Sequence, residues 1–307
     1  MRVCTIDIGT ISVRALVADV DEGEGIRVVA REGHITRLGE GLSERGLLGA
    51  AAMERTARTV GEIVEKARRL GAGQFKLVAT SAARSSANAD ELTDRIRGLT
   101  SLEVNVITGL EEAKYICEGA LRSLAIGEKP VLLADIGGGS TEMIFARRDE
   151  NPVLCSVATG AVYLTERFLR HDPPQADAVS SAFEDALAML ENAHAGLPRG
   201  AEELIGLGGT ITTVPPIVMG MRKYDASRVH NSVVGVGQVL SVLRRLVSMS
   251  LPERRRVRGL EPGRADIIVG GLLILKALLK ASGFEKVRVS DRGILFGLAL
   301  SMPFVRG

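Results

Sequence analysis

Short unbroken apolar runs alternate along the chain with segments whose apolar positions fall three and four apart. These are the patterns of buried strands and amphipathic helices. The run 3–6 is apolar and ends at Asp7; 13–20 and 26–35 read as two more strands, with a turn over 21–25. The segment 50–70 has helical spacing and stops at Gly71. A strand is expected at 75–79, followed by a helix capped by Ser85 or Ser86 and running through Arg97. After a strand at 104–107, Thr108-Gly109 opens a helix over 110–124 with Leu110, Ala113, Cys117, Leu121 and Leu124 on one face.

Residues 127–130 read as a hinge, and the pattern then starts again. The stretch 131–146, VLLADIGGGSTEMIFA, is strand, glycine-rich turn, strand, and 153–158 is a third strand. A helix runs through Arg170, and another covers 176–194. A strand at 204–207 leads through Gly208-Gly209-Thr210 into a helix ending at Met219. Amphipathic 236–247, an apolar helix over 264–280 opened by Pro262-Gly263, a strand at 287–289 and a helix over 292–301 complete the chain. Asp7-Ile8-Gly9-Thr10 and Asp135-Ile136-Gly137-Gly138 are the same device in the same setting, which indicates an internal duplication. The expected class is α/β with two similar halves.

Composition narrows the function. At 307 residues there is length for two domains, and 46% hydrophobic with 25% charged residues fits a globular protein. A net charge of +2 does not argue for nucleic acid, and seven Phe, three Tyr and no Trp leave few platforms for bases. Cys4, Cys117 and Cys155 are far apart and form no CxxC, so neither zinc nor a disulfide framework is indicated. With no signal-peptide pattern and no apolar run of membrane length, a cytoplasmic protein without a membrane partner is expected. The cluster Arg254, Arg255, Arg256 and Arg258 reads as a solvated helix face, and the four histidines show no metal-ligand or triad spacing.

The chemistry-bearing positions lie at strand ends. A turn of Gly137, Gly138 and Gly139 can present backbone N–H groups as an oxyanion nest, while Asp135 and Glu142 at its margins suit a divalent cation. Thr80, Ser81 and Arg84 after a strand could grip an anion, or could simply lead into a helix cap. Gly208-Gly209-Thr210 is a further anion candidate. Glu111 and Glu112 flank the stripe of their helix, and spacing does not choose between them as a catalytic base.

Taken together, DIGGGSTE (135–142), ATSAARSSAN (79–88), TGLEEA (108–113), GLGGT (206–210) and RADIIVGG (264–271) resemble the exopolyphosphatase and guanosine pentaphosphate phosphohydrolase (Ppx/GppA) family. The resemblance implies two ribonuclease-H-like domains of the actin, sugar kinase and Hsp70 superfamily with an interdomain cleft. They would comprise 1–126 plus 290–307, and 127–289, in the short two-domain form. By the same resemblance Glu112 matches the catalytic glutamate that orients or deprotonates water, and Asp135 with Glu142 matches the acidic pair near Mg²⁺. Gly137, Gly138, Gly139 and Ser140 match the cradle of the terminal phosphate, and Arg84 the arginine of the anion site. Asp7, Gly9, Thr10 and Ser12 match the first phosphate loop, and Gly208, Gly209 and Thr210 a further glycine loop.

Two positions depart from the family pattern. Ile11 stands where the first loop commonly has asparagine, which removes a side-chain donor. Leu295-Phe296-Gly297 stands where an Arg-acid-Gly string is frequent, which removes polar contacts from the last helix. The expected activity is release of terminal orthophosphate from inorganic polyphosphate or from pppGpp, by a cytoplasmic enzyme forming a homodimer. The rival readings are a kinase of the same superfamily and a non-catalytic sensor of polyphosphate or (p)ppGpp.

Overall fold

The computed structural model describes residues 1–21, 25–124, 126–147 and 150–303. The chain divides into two compact units, Met1–Ser123 with Arg292–Gly307, and Leu124–Asp291. The central positions of the turn read over 21–25 lie outside the described residues.

The first unit opens with an antiparallel meander, β1 (Arg2–Ile8), β2 (Ser12–Asp21) and β3 (Gly25–Ile35). After the short helix α1 (Leu42–Arg45) and the long α2 (Ala50–Arg69) come β4 (Gln74–Ala79), α3 (Ser81–Arg84), α4 (Ala89–Thr100), β5 (Val104–Val106) and α5 (Gly109–Ser123). The sheet order is β3-β2-β1-β4-β5, with β4 parallel to both β1 and β5. Its central strand β1 is covered on both faces, so its sequence does not alternate, and every residue from Val3 to Ile8 is buried, the polar Thr5 and Asp7 included. Helix α2 buries Met53, Ala57, Val60, Val64 and Ala67, one face of a 3.6-residue period.

Two readings change here. Neither Ser85 nor Ser86 caps a helix. They follow α3, and α4 starts after Asn88, whose side chain instead brackets the backbone of Leu48, accepting from its N–H and donating to its C=O. In α5 the buried stripe is Ala113, Ile116, Cys117, Gly119 and Ala120, while Leu110 is exposed. The stripe shifts toward small residues because another helix lies very close against it, as described below.

The second unit repeats the opening: β6 (Val131–Ile136), β7 (Thr141–Ala146) and β8 (Val153–Val157) form a meander. Then follow α6 (Ala161–Phe168), α7 (Ala176–Ala195), β9 (Glu203–Leu207), α8 (Gly208–Ile211), α9 (Val214–Val218), α10 (Ala226–Val229), β10 (Val233–Gly235), α11 (Val236–Val247), α12 (Leu251–Arg254), α13 (Ile268–Ser282) and β11 (Lys286–Val289). The order is β10-β11-β9-β6-β7-β8. Set beside the first sheet, β8-β7-β6-β9-β11 takes the place of β3-β2-β1-β4-β5, and both are the mixed sheet of ribonuclease-H-like domains. Strand β10 has no counterpart and was not legible as a strand, being three residues long. The helix expected to reach Met219 is split into α8 and α9. Pro215 and Pro216 have no N–H to continue it and stand in the first turn of α9, where none is needed. The helix expected from 264 begins at Ile268, after a 3₁₀ turn over Pro262–Arg264. It buries nearly every residue to Leu279 and packs on α6, α7 and α11.

The arginine cluster is not uniformly solvated. Arg254 is 4% exposed. Its Nη2 donates to Asp172 Oδ1 at 2.8 Å, and Asp172 Oδ2 also accepts from the Leu251 N–H at 2.7 Å. The Nε and Nη1 of Arg254 are buried without a protein partner. Burial pulls its pKa below the usual guanidinium range, with Asp172 and Asp266 opposing. Removing the counter-charge is therefore costly: Asp172→Ala is expected to lower unfolding free energy by about 2–3 kcal/mol. A fully enclosed pair would lose more, but Asp172 is 39% exposed. Arg254→Met, which removes the charge and keeps the packing, is expected to be near neutral. Urea unfolding of the two variants measures both.

The last helix, α14 (Ile294–Leu300), packs in the first unit on α5 and on the β1–β2 face. Thr5 Oγ1 donates to Leu295 O at 3.0 Å. The ring of Phe296 is buried with the guanidinium carbons of Arg31 and Arg292 each 5.3 Å from its centroid. Leu295 and Phe296 thus replace polar contacts with core packing. No described helix is long and apolar enough to cross a membrane.

Candidate active site

Both meanders turn in the same way. The Gly9 N–H donates to Ser12 O at 3.0 Å, and the Gly137 N–H donates to Ser140 O at 3.0 Å. In each loop the carbonyls are then engaged by the chain that follows. Thr10 O accepts from Gly39 N at 2.9 Å, and Ile11 O from Thr36 N and Arg37 N at 3.0 and 2.8 Å. Gly137 O accepts from Ala161 N at 3.0 Å and Gly138 O from Val162 N at 2.8 Å. The N–H groups of Thr10, Ile11, Gly138 and Gly139 donate to nothing among the described residues. Loops with engaged carbonyls and unengaged amides are concave positive sites suited to an oxyanion. The side chain of Ile11 is itself buried, so what this position offers a ligand is its amide.

Carboxylates stand behind each loop. Asp7 is 2% exposed; its Oδ2 accepts from Arg14 Nη2 at 2.6 Å and Nε at 3.1 Å, and its Oδ1 has no protein partner. Asp135 and Glu142 are register partners on β6 and β7, so both side chains leave the same face, and both are buried. Glu142 Oε1 accepts from Ser140 Oγ at 2.8 Å and Ser156 Oγ at 3.0 Å. Thr10 and Ser12 are buried at the first turn.

Further elements reach these groups from neighbouring strand ends. Gly208 has φ +83°, and a Cβ there would lie 2.3 Å from Asp135 Oδ1, so the loop after β9 touches the Asp135 carboxylate directly. The Arg264 guanidinium covers Gly209, where a Cβ would come within 2.1 Å of Nη1, and its Nε donates to Glu261 at 3.0 Å. The side chain of Thr210 is turned the other way, against Gly271 of α13. In the first unit Arg84, just after β4, donates from Nη1 to Glu112 Oε2 at 2.9 Å and to Ile107 O at 3.0 Å. In each unit the groups cluster at the carboxyl ends of parallel strands, where ligands of open α/β sheets bind.

Glu111 and Glu112 differ in environment. Glu111 closes a capping box with Thr108, accepting from its N–H at 2.9 Å and its Oγ1 at 2.8 Å, while the Glu111 N–H donates back to Thr108 Oγ1 at 3.2 Å. Those bonds from the Thr108 backbone and then its hydroxyl hold the Glu111 pKa below the usual carboxylate range. Glu112 is the more enclosed of the two and faces Arg84. Arg14, Ser156 and Arg264 were not singled out from sequence. Arg14 follows from the register of the β1–β2 hairpin, and Arg264 stands in the RADIIVGG string; Ser156 left no signal.

The fold defines a two-domain α/β protein with ribonuclease-H-like sheets. The Ppx/GppA phosphatase family matches residues 16–303. Exopolyphosphatase 2 of Mycobacterium tuberculosis is 36% identical over 98% of each chain. Among solved structures, the Aquifex aeolicus member of the Ppx/GppA family is 32% identical with a TM-score of 0.82, over 98% of this chain and 97% of that one. An exopolyphosphatase from Cytophaga hutchinsonii is 26% identical with a TM-score of 0.88 over the same shares. The chain belongs to the Ppx/GppA phosphatase family. It is a phosphoanhydride hydrolase.

The contact between Gly208 and Asp135 makes a sharp test. In Gly208→Ala the new methyl meets Asp135 Oδ1 and, at 2.5 Å, the Ile136 carbonyl, in a backbone conformation that L-residues avoid. A shift of the Asp135 carboxylate by about 1 Å is expected to lower turnover roughly 100-fold. Assay of phosphate release measures it, with the far-UV spectrum unchanged.

Proposed function

We propose that the protein is an exopolyphosphatase, releasing terminal orthophosphate from inorganic polyphosphate, with pppGpp as a second substrate. The observation that carries this reading is the 137–140 loop, whose Gly138 and Gly139 amides are unengaged beside two buried carboxylates. The likeness to exopolyphosphatase 2 supports the choice of substrate.

In this reading the Gly138 and Gly139 amides hold terminal phosphate oxygens, and the Thr10 and Ile11 amides are the corresponding oxyanion site of the first unit. Glu112 orients the attacking water and accepts its proton, and Arg84 keeps the Glu112 carboxylate aimed while offering its remaining donors to substrate oxygen. Asp7 fixes Arg14, and Arg264 adds a cation beside the Gly208–Gly209 loop.

Asp135 and Glu142 fit a Mg²⁺ ion. They are hard oxygen donors on one face, and like charges so close and so buried favour a cation between them. No cluster of three or more acidic, histidine or cysteine ligands occurs among the described residues, so the other positions would fall to water and phosphate oxygen, the usual arrangement for this ion. When bound, Mg²⁺ would neutralise charge developing on the phosphoryl oxygens. The test is phosphate release from tripolyphosphate, long-chain polyphosphate and pppGpp, side by side, with and without Mg²⁺. Mg²⁺-dependent release from polyphosphate is expected; no release from any polyphosphate would overturn the reading.

A further inference from the structure

We propose that Ser156 on β8 is a positioning residue for the cation site. It holds the Glu142 carboxylate in the orientation that binds the metal, and so sets metal affinity while touching neither metal nor substrate. This rests on the Mg²⁺ reading of Asp135 and Glu142 above.

Register is the first argument. Asp135 on β6 pairs with Glu142 on β7, and Glu142 pairs with Ser156 on β8. Directly opposed residues of antiparallel strands leave the same face, so the three side chains form one row across three strands. Ser156 Oγ donates to Glu142 Oε1 at 3.0 Å, and Ser140 Oγ donates to the same oxygen at 2.8 Å. The last torsion of a glutamate is broad and roughly two-fold. Two hydroxyls on Oε1, one from the turn and one from the strand beyond β7, fix that torsion and with it the direction of the other oxygen. An ordered carboxylate gives up less freedom when a cation arrives, which is how outer partners of a metal ligand raise affinity.

The duplication is the second argument. The Gly9–Ser12 turn matches the Gly137–Ser140 turn bond for bond, so Asp7 corresponds to Asp135. By register the row in the first unit is Asp7, Arg14 and Gly33. Its middle residue is a cation that pairs with Asp7 itself, and its outer residue has no side chain. A Cβ on Gly33 would meet nothing within 4 Å, so the first unit has room for a serine there and does not use one. A demand of the three-stranded meander would act on both units alike. The serine instead accompanies the carboxylate and is missing beside the guanidinium.

Exposure is the third argument. Glu142 is 2% exposed, whereas Ser156 is exposed on a strand at the edge of its sheet. Water can serve an exposed hydroxyl nearly as well as a protein acceptor, so the bond adds little to the fold. Its consequence lies at the buried end, where it decides how Glu142 stands beside Asp135.

The test uses Ser156→Ala, which removes the donor, and Ser156→Thr, which keeps it on a residue suited to a strand. The probe is Mn²⁺, a divalent cation that takes the same oxygen ligands as Mg²⁺. Its binding to the intact protein is followed by the paramagnetic resonance signal of the free ion, beside the Mg²⁺ concentration that half-saturates phosphate release. The Kd for Mn²⁺ is expected to rise about tenfold in Ser156→Ala, the lower end for loss of an outer partner because Ser140 still donates to Oε1, and to stay at the wild-type value in Ser156→Thr. Half-saturating Mg²⁺ should rise in parallel, with kcat at saturating Mg²⁺ unchanged. Equal Mn²⁺ affinity of wild type and Ser156→Ala overturns the proposal. An equal loss in Ser156→Thr also overturns it, since any change of side chain on β8 would then suffice. Wild-type protein that binds no Mn²⁺ is a distinct outcome: the cation reading of Asp135 and Glu142 has then failed, and this proposal falls with it.

Discussion

Glu112→Gln is expected to keep the fold and lose between about 10²- and 10⁴-fold of turnover, the range that a positioned general base contributes. Glutamine fills the same volume, and its amide oxygen can still accept from Arg84 Nη1, which now lies 2.9 Å from Glu112 Oε2. What it cannot do is take a proton from water. Binding of substrate should persist, because the unengaged loop amides are untouched by the substitution. The neighbouring Glu111→Gln is the control. Glu111 caps its helix through Thr108, so its loss is expected to loosen the first turn of α5 and leave turnover within a few-fold of wild type. Near-native turnover in Glu112→Gln, or a collapse confined to Glu111→Gln, would reverse the assignment. Phosphate release and polyphosphate binding, measured on both variants, distinguish the outcomes.

Gly297→Ala is expected to be the most destabilising single methyl in the first unit. Helices α5 and α14 meet backbone to backbone. A Cβ on Gly297 would lie 1.9 Å from the Tyr115 carbonyl oxygen, and one on Gly119 would lie 2.1 Å from the Gly293 oxygen. Neither obstacle is a side chain that can turn aside, so the two helices must separate, opening the β1–β2 face that α14 covers. A loss of about 3 kcal/mol is expected, at the upper end for overpacking. For a domain of this size that lowers Tm by roughly 6–12 °C. Gly98→Ala, in exposed α4 with nothing within 4 Å of the added carbon, should instead stabilise by up to about 1 kcal/mol. Thermal melts of the two variants decide the matter; a Gly297→Ala protein as stable as wild type would mean that the helices slide apart at no cost. Because α5 carries Glu112, turnover should fall alongside stability.

The hairpins, the repeat and the position of the glycine loops were legible because they are local. Strands β1 and β6 are largely apolar and each carries an aspartate one residue before its end, and the turn to the next strand is written in glycine and small polar residues. The misreadings also have local causes. Ser85 and Ser86 look like caps because serine usually is one, yet α3 takes the chain there and leaves Asn88 to bind Leu48. Leu110 looks like core because the stripe includes it, but α14 lies against Tyr115 and Gly119 on the same helix. Arg254 looks like surface because its neighbours are charged, and only its encounter with Asp172, far away in sequence, explains its burial.

The choice between Glu111 and Glu112 shows the division most clearly. By sequence alone the chain determined its two α/β halves, the duplicated Asp-x-Gly turns and the set of candidate groups, since these depend on backbone preference and on periodicity over a few residues. The cap that takes up Glu111 is itself local, a Thr108-x-x-Glu111 box; which amides stay unengaged, and which arginine reaches Glu112 or Gly209, were decided only by the tertiary structure. Those outcomes depend on chain segments distant in sequence arriving at the same strand ends, where a hydrogen-bonding group is either taken by another part of the chain or left for a ligand.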